Sequence, residues 1–260
     1  VATGVRFVVW DYRPQLNDAS VHFARHLSLD TAASPLVATA YKGGDSAEAM
    51  AVDAAARMAN QKAWSECIRG DAFTRTPVSG VVLTGWSRFG HTMPLTEMLP
   101  AAMPTLLRAL GCWGDLDESK TVEAIERWRR ADRTGAAVHD EVVAIAKLRE
   151  QLSDLETQWR QQSSRLPPPP RLVKRVVSAL AGPEGAVAAL RARGKRLAEL
   201  MGDGTLFRHD VDEWIEAKVA VATVRAARLM DQAVGLREGL SGGSGSVCVL
   251  ERVGDADGGT

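Results

Sequence analysis

The sequence predicts an α/β fold in which about three parallel strands alternate with helices and a mostly α-helical region follows. Three short apolar runs rich in Val, Val5 to Trp10, Pro35 to Ala40 and Gly80 to Trp86, lie near the start of the chain. Helix-forming sequence separates them. From Pro94 onward no strand-like run appears until the tail. The order strand, helix, strand, helix, strand is that of βα units.

Val5 to Trp10 (VRFVVW) is too short for an independent helix and too continuously apolar for a half-exposed strand. It is expected, like the other two runs, to be a strand buried on both faces. Asn17 to Leu29 supplies a short helix, and Ala47 to Ile68, with many Ala, Met, Gln and Lys residues, a longer one. Pro94 to Trp113 reads as a helix with Pro100 and Pro104 near its start, and Asp117 to Arg130 as another. Val138, Val142, Ile145, Leu148, Leu152, Leu155 and Trp159 then recur every three or four residues, one apolar stripe on a helix of about six turns. Pro167 to Pro170 is a linker or rigid corner. Leu172 to Leu180, Val187 to Leu200 and Val211 to Leu229 mark three further helical stretches, and the Gly/Ser-rich tail after Leu240 is expected to be disordered. The predicted organisation is an α/β part over 1–113, a helical region over 114–240 and a tail over 241–260.

Composition excludes several classes of function. Lys plus Arg and Asp plus Glu each number 32, so the net charge of zero argues against a general nucleic-acid-binding surface. Apolar residues at 45% and charged residues at 25% are ordinary for a globular protein. No apolar run approaches the roughly 18 residues of a membrane span. Cys67, Cys112 and Cys248 are odd in number and far apart, forming neither a zinc spacing nor a disulfide framework, which points to a reducing compartment. The chain opens on Val1 with no basic or signal-like segment, so it is read as cytoplasmic or nucleocytoplasmic and as a candidate piece of a longer protein.

Three strands leave two architectures open. One is a small α/β unit with two open sheet edges; the other is the end of a (β/α)₈ barrel, which needs eight strands. In either, function gathers just past the carboxyl ends of the strands. Those ends carry Trp10-Asp11-Tyr12, then Tyr41-Lys42-Gly43-Gly44, then Thr84-Gly85-Trp86-Ser87-Arg88-Phe89-Gly90-His91. Aromatic rings mixed with polar groups suit a sugar, whose C–H face packs on a ring while its hydroxyls meet side chains.

Other features carry blander readings. Lys42 beside two glycines lacks the wider spacing of a phosphate loop. His91 reads as a surface or capping residue. His22 and His26 stand at i, i+4, as a helical metal pair would, but lack an apparent third ligand and read as a solvated helix face. Arg127, Trp128, Arg129, Arg130 and Arg133 are interleaved with Glu123, Glu126 and Asp132, the pattern of a salt-bridged helix face. No metal site and no cofactor are expected.

At its strand ends the chain resembles the hexosaminidase D-like branch of glycoside hydrolase family 20. The resemblance rests on VVWDY (Val8 to Tyr12), ATAYKGG (Ala38 to Gly44) and GVVLTGWSRFGHTMPLTEMLPAAMPTLL (Gly80 to Leu107), with a weaker likeness at VDEWIEAKV (Val211 to Val219). It covers residues 5–113 and is only suggestive beyond. It implies the C-terminal portion of a TIM (β/α)₈ barrel, these runs being its sixth to eighth strands. It also implies a β-N-acetylhexosaminidase with a substrate-assisted retaining mechanism, in which an Asp orients the sugar's acetamide and the adjacent Glu is the general acid.

In that family the Asp-Glu pair ends the fourth strand. Asp117-Glu118, Asp140-Glu141 and Asp212-Glu213 all lie in helical sequence and are rejected, so the expectation is that the pair lies upstream and that this chain alone has no turnover. The resemblance carries over only substrate-binding residues. Trp86 and Trp10 would be walls of the sugar pocket, and Tyr12 or Tyr41 would hydrogen-bond the acetamide. Arg88 stands where many family members place a Glu, though the hexosaminidase D branch has Arg there. The implied partner is an N-acetylhexosamine-terminated glycan or glycoconjugate, not nucleic acid or membrane, with a homodimer left open. Two alternatives stand beside this reading: a non-catalytic helical interaction module using the Val138 to Trp159 stripe, and a sugar-binding remnant.

Overall fold

A computed structural model describes residues 7–31, 34–43, 49–70, 73, 78–87, 99–163, 168–202 and 208–241. Strands β1 (Val8–Trp10), β2 (Leu36–Lys42) and β3 (Gly80–Gly85) form one parallel sheet in the order β1-β2-β3. Helix α1 (Asp18–Thr31) connects the first two strands and α2 (Ala54–Arg69) the second and third. This is the predicted βα succession. Its helix α2 begins later than expected, because the Asp53 side chain accepts a 2.9 Å hydrogen bond from the Ala56 N–H and caps the first turn there.

The register aligns Val8, Leu36 and Gly80, and then Trp10, Ala38 and Val82. Side chains alternate along a strand, so these six share one face and Val9, Val37 and Val81 share the other. The second face is closed: Val9 and Val37 pack with Trp64 and Phe73, flanked by Ile68 of α2 and by Trp113. Among the described residues the first face is open along its two outer strands, while Ala38 at its centre is 1% exposed. Val8 is 45% exposed, Val82 38% and Trp10 64%. The expectation of burial on both faces therefore holds for central β2 but not for β1 or β3, which are edge strands.

Helices α3 (Leu99–Trp113), α4 (Glu118–Ala131), α5 (Arg133–Ser163), α6 (Pro170–Leu180), α7 (Ala186–Met201), α8 (Arg208–Ile215) and α9 (Val221–Ser241) follow. Asp117 caps α4 by accepting from the Lys120 N–H at 2.9 Å, and Pro170 sits in the first turn of α6, where a missing N–H costs nothing. The predicted stripe lies along α5. Val138, Val142, Ile145 and Leu152 are at most 1% exposed, and Leu155 and Trp159 are also buried. They pack against Leu172, Val176 and Leu180 of α6, Leu190 and Leu197 of α7, and Ala222 and Ala226 of α9. The stripe is thus consumed inside the chain, which removes the observation behind the interaction-module reading. Helix α3 joins the two parts by packing on α2, β2 and α5.

The predicted last helix is interrupted. Glu216–Ala220 forms a π turn between α8 and α9. Buried Trp214 and Val219 are five residues apart, whereas Val219, Ala222 and Ala226 follow at spacings of three and four. The wide turn absorbs the extra residue and keeps both halves facing the core. The expected disordered tail falls beyond Ser241, outside the described residues. Among the described residues no helix is long and apolar enough to cross a membrane.

Replacing Leu152, which is 1% exposed, by Ala is expected to cost about 2–5 kcal/mol in urea unfolding. Val143→Ala on the same helix, at a 44% exposed position, is expected to stay within about 0.5 kcal/mol.

Candidate functional site

The strand ends bring three aromatic side chains together. Trp10 ends β1, Tyr12 follows two residues on, and Trp86 follows β3. The Trp10 and Trp86 ring centres are 6.5 Å apart and those of Tyr12 and Trp86 6.3 Å, each pair inclined at 61° in edge-to-face geometry. Trp86 is 39% exposed, so together with the more exposed Trp10 it offers ring surface at the open side of the sheet. The Tyr12 hydroxyl is buried and has no hydrogen-bond partner among the described residues. That phenol lies beside the Trp86 indole, and a buried hydroxyl ordinarily has a hydrogen-bond partner.

Tyr41, the other tyrosine at a strand end, is held differently. Its ring lies on Gly85: a Cβ there would stand 2.4 Å from the Tyr41 hydroxyl oxygen, so only glycine admits the ring. Burial pushes its phenol pKa up from the ordinary value. Of the two tyrosines that the sequence left undecided, Tyr12 is the one beside the exposed indoles. Arg88 and His91 lie outside the described residues.

Two residues fix Trp86 from below. Lys42 is only 3% exposed, and its Nζ donates to the Trp86 carbonyl at 2.7 Å and to the Ser87 hydroxyl at 3.4 Å. The Trp86 N–H returns a bond to the Lys42 carbonyl at 3.2 Å. Gly43 has φ +76°, and a Cβ on it would lie 2.3 Å from the Trp86 carbonyl oxygen. The Lys-Gly pair is therefore a cradle for the backbone of Trp86. Sequence reasoning weighed it only as a phosphate loop.

The β1 end is fixed through Asp11, between Trp10 and Tyr12. Its carboxylate takes both arms of Arg13, Nε at 2.8 Å and Nη2 at 2.5 Å, and the backbone N–H groups of Arg13 and Asn17 at 3.1 and 3.0 Å. Burial alone would raise its pKa, but these bonds outweigh burial and hold the carboxyl at about 2. Asp11 is thus an anchor, committed to its own loop.

Helix α2 supplies the remaining support. The Asp11 carbonyl accepts from Asn60 Nδ2 at 2.8 Å and Trp64 Nε1 at 3.0 Å, and the Arg13 carbonyl from Asn60 Nδ2 at 2.6 Å. Gln61 donates to the Ala40 carbonyl at 3.1 Å while its oxygen accepts from Thr39 and Trp113 at 2.8 and 2.5 Å. Asn60, Gln61 and Trp64 were missed as site supports. Their signal was amide residues one turn from a Trp inside an otherwise Ala-rich helix.

Two of the three rejected acidic pairs are committed to caps and ion pairs. Asp117 caps α4, and Glu118 meets Arg108 at 2.5 Å. Asp140 is held by two bonds from Arg129, at 3.0 and 2.7 Å, and Glu141 meets Arg193 at 2.8 Å. Asp212-Glu213 lies in α8. Among the described residues, one cleft of about 430 Å³ lies between Met50–Ala51 and α5 with Arg225, and another of about 430 Å³ between α5 and α6, and neither is lined by the aromatic trio. Among the described residues no group of three or more His, Cys, Asp or Glu side chains could hold a metal ion. No family model matches the chain, and no curated protein matches it either.

Lys42→Met keeps the stem and removes the donor to Trp86. It is expected to cost about 1–3 kcal/mol and to shift the tryptophan emission maximum, as read by thermal unfolding and fluorescence. The Asp11 contribution carries a pH signature. Its folded pKa lies below the ordinary 3.8, so the stabilisation is full above that value and is lost as pH falls toward about 2. Asp11→Asn should remove that limb of the acid-unfolding profile.

Proposed function

We propose that this chain forms part of the sugar pocket of a β-N-acetylhexosaminidase of the hexosaminidase D-like branch of family 20. The single observation that carries the reading is the Trp10–Tyr12–Trp86 cluster: exposed ring surface at strand carboxyl ends beside a buried phenol with no partner among the described residues. The three consecutive parallel strands support it, since they have the order of neighbouring barrel strands. So does the open sheet face, which in a closed barrel would turn inward and be covered.

In this reading the indole of Trp86 packs on the C–H face of a terminal N-acetylhexosamine, and Trp10 forms a second wall. The Tyr12 hydroxyl donates to the acetamide oxygen, which aligns that oxygen for attack on the anomeric carbon. Arg88 would serve the sugar hydroxyls. The acetamide is the nucleophile, so the protein supplies an Asp to orient it and a Glu to protonate the leaving oxygen. No Asp-Glu pair of these 260 residues fits that task, and the reading places it on strands outside them. The substrate is an N-acetylhexosamine-terminated glycan or glycoconjugate, and the compartment is cytoplasmic or nucleocytoplasmic.

A sugar-binding role without chemistry is the second reading, favoured by the commitment of Asp117, Glu118, Asp140 and Glu141 to caps and ion pairs. Both readings expect the purified chain to bind N-acetylglucosamine or N-acetylgalactosamine with a change in tryptophan fluorescence. Trp86→Ala should weaken that binding about tenfold or more, corresponding to roughly 1.4 kcal/mol or above, and Tyr12→Phe should weaken it less. The purified chain should release no chromophore from a nitrophenyl β-N-acetylhexosaminide. Release by this chain would overturn the assignment of catalysis to residues outside it. Unchanged binding in Trp86→Ala would overturn the pocket.

A further inference from the structure

Helix α6 follows α5 in the chain, yet its backbone comes close to α9 and hardly at all to α5. The gap between α5 and α6 is the cleft of about 430 Å³, a volume within the usual range of small-molecule sites. Its floor is apolar, with Leu152 and Leu180 buried. Half-buried Leu148 and Ala186 and exposed Ala179 add apolar surface to its sides. Small residues at 179 and 186 leave space that larger side chains would fill. The lining comes from α5, from α6 and from the turn that leads into α7, so three segments bound one space.

The charged lining is unbalanced. Asp154 and Glu184 both line the cleft, and neither side chain has an ion-pair or hydrogen-bond partner among the described residues. Arg175 is the one cation among the described lining residues, and it is already engaged: its Nη1 donates to Gln158 Oε1 at 3.0 Å, from α6 across to α5. Ionised carboxylates only accept hydrogen bonds, so the complementary group is a cation that donates them. From this arrangement we propose that the cleft binds a small organic cation. Its apolar body sits on the leucine floor, and its ammonium head is held at the edge by Asp154 and Glu184. The Arg175–Gln158 bond spans the gap and keeps the second side of the cleft in place.

The test follows backbone amide resonances of the 260-residue chain while three probes of matched shape are added in turn: 4-phenylbutylamine, 4-phenylbutan-1-ol and 4-phenylbutyrate. The amine is expected to move the Asp154, Glu184 and Ala186 signals in a saturable way, the alcohol more weakly and the carboxylate least. Asp154 and Glu184 are exposed, so the double variant Asp154→Asn/Glu184→Gln should fold, which circular dichroism checks. It is expected to weaken the amine about threefold to tenfold and to leave the alcohol unchanged. Ala179→Phe, which fills the cleft from an exposed position, should remove the response to all three probes. An amine that moves none of these signals would overturn the proposal. So would a carboxylate that binds as tightly as the amine, or amine binding that is unchanged in the double variant.

Discussion

The backbone carbonyls at the ends of β1 and β2 must be satisfied inside the protein, and α2 satisfies them with side chains. Asn60, Gln61 and Trp64 form a buried hydrogen-bonding face of that helix. Each donates to a backbone carbonyl of Asp11, Arg13 or Ala40. A buried carbonyl left unpaired costs about 1–3 kcal/mol, so this face also dictates where the loop after β1 can run. Trp10 and Tyr12 ride on that loop. The position of the aromatic cluster is thus set by an amide-bearing helix on the far side of the sheet.

The same logic governs the β3 side. Trp86 is placed by Lys42 and Gly43 of the neighbouring strand end, through a short Nζ–carbonyl bond and a glycine that alone lets the two backbones approach. The two supports use different physics and meet at one point, with 6.5 Å between the indole centres. Beyond them the sheet face is apolar and open at Val8 and Val82. The helical part below is closed on itself, with the α5 stripe filled by α6, α7 and α9. Buried Glu156 of α5 is tied to Arg225 of α9, Nε to Oε1 at 3.0 Å.

Much of this architecture was legible in the sequence. Val-rich runs of about six residues locate the strands because parallel strands need apolar residues at nearly every position. The three-four spacing from Val138 to Trp159 locates α5 because only one helical face is buried. What was not legible has physical reasons. Exposure of the edge strands depends on what neighbours them, which a local run does not encode. The start of α2 depended on a single cap, Asp53. The π turn was written in the five-residue step from Trp214 to Val219, which only becomes visible once both are known to be buried. At the site, the choice of aromatic residues followed from their place after strands. The roles of Lys42, Asn60 and Gln61 depend on contacts between residues distant in sequence.

The central claim is that the Trp10–Tyr12–Trp86 surface binds an N-acetylated hexose. Indole N–H resonances of the ¹⁵N-labelled chain, followed while N-acetylglucosamine and N-acetylgalactosamine are added in turn, test it most directly, because all seven tryptophans report separately. The account predicts that the Trp10 and Trp86 signals move in a saturable way with at least one of the two sugars. Trp64 and Trp214, both at 0% exposure, should stay in place. Signals that do not move with either sugar, or that move only at Trp128 or Trp159 in the helical part, would contradict it.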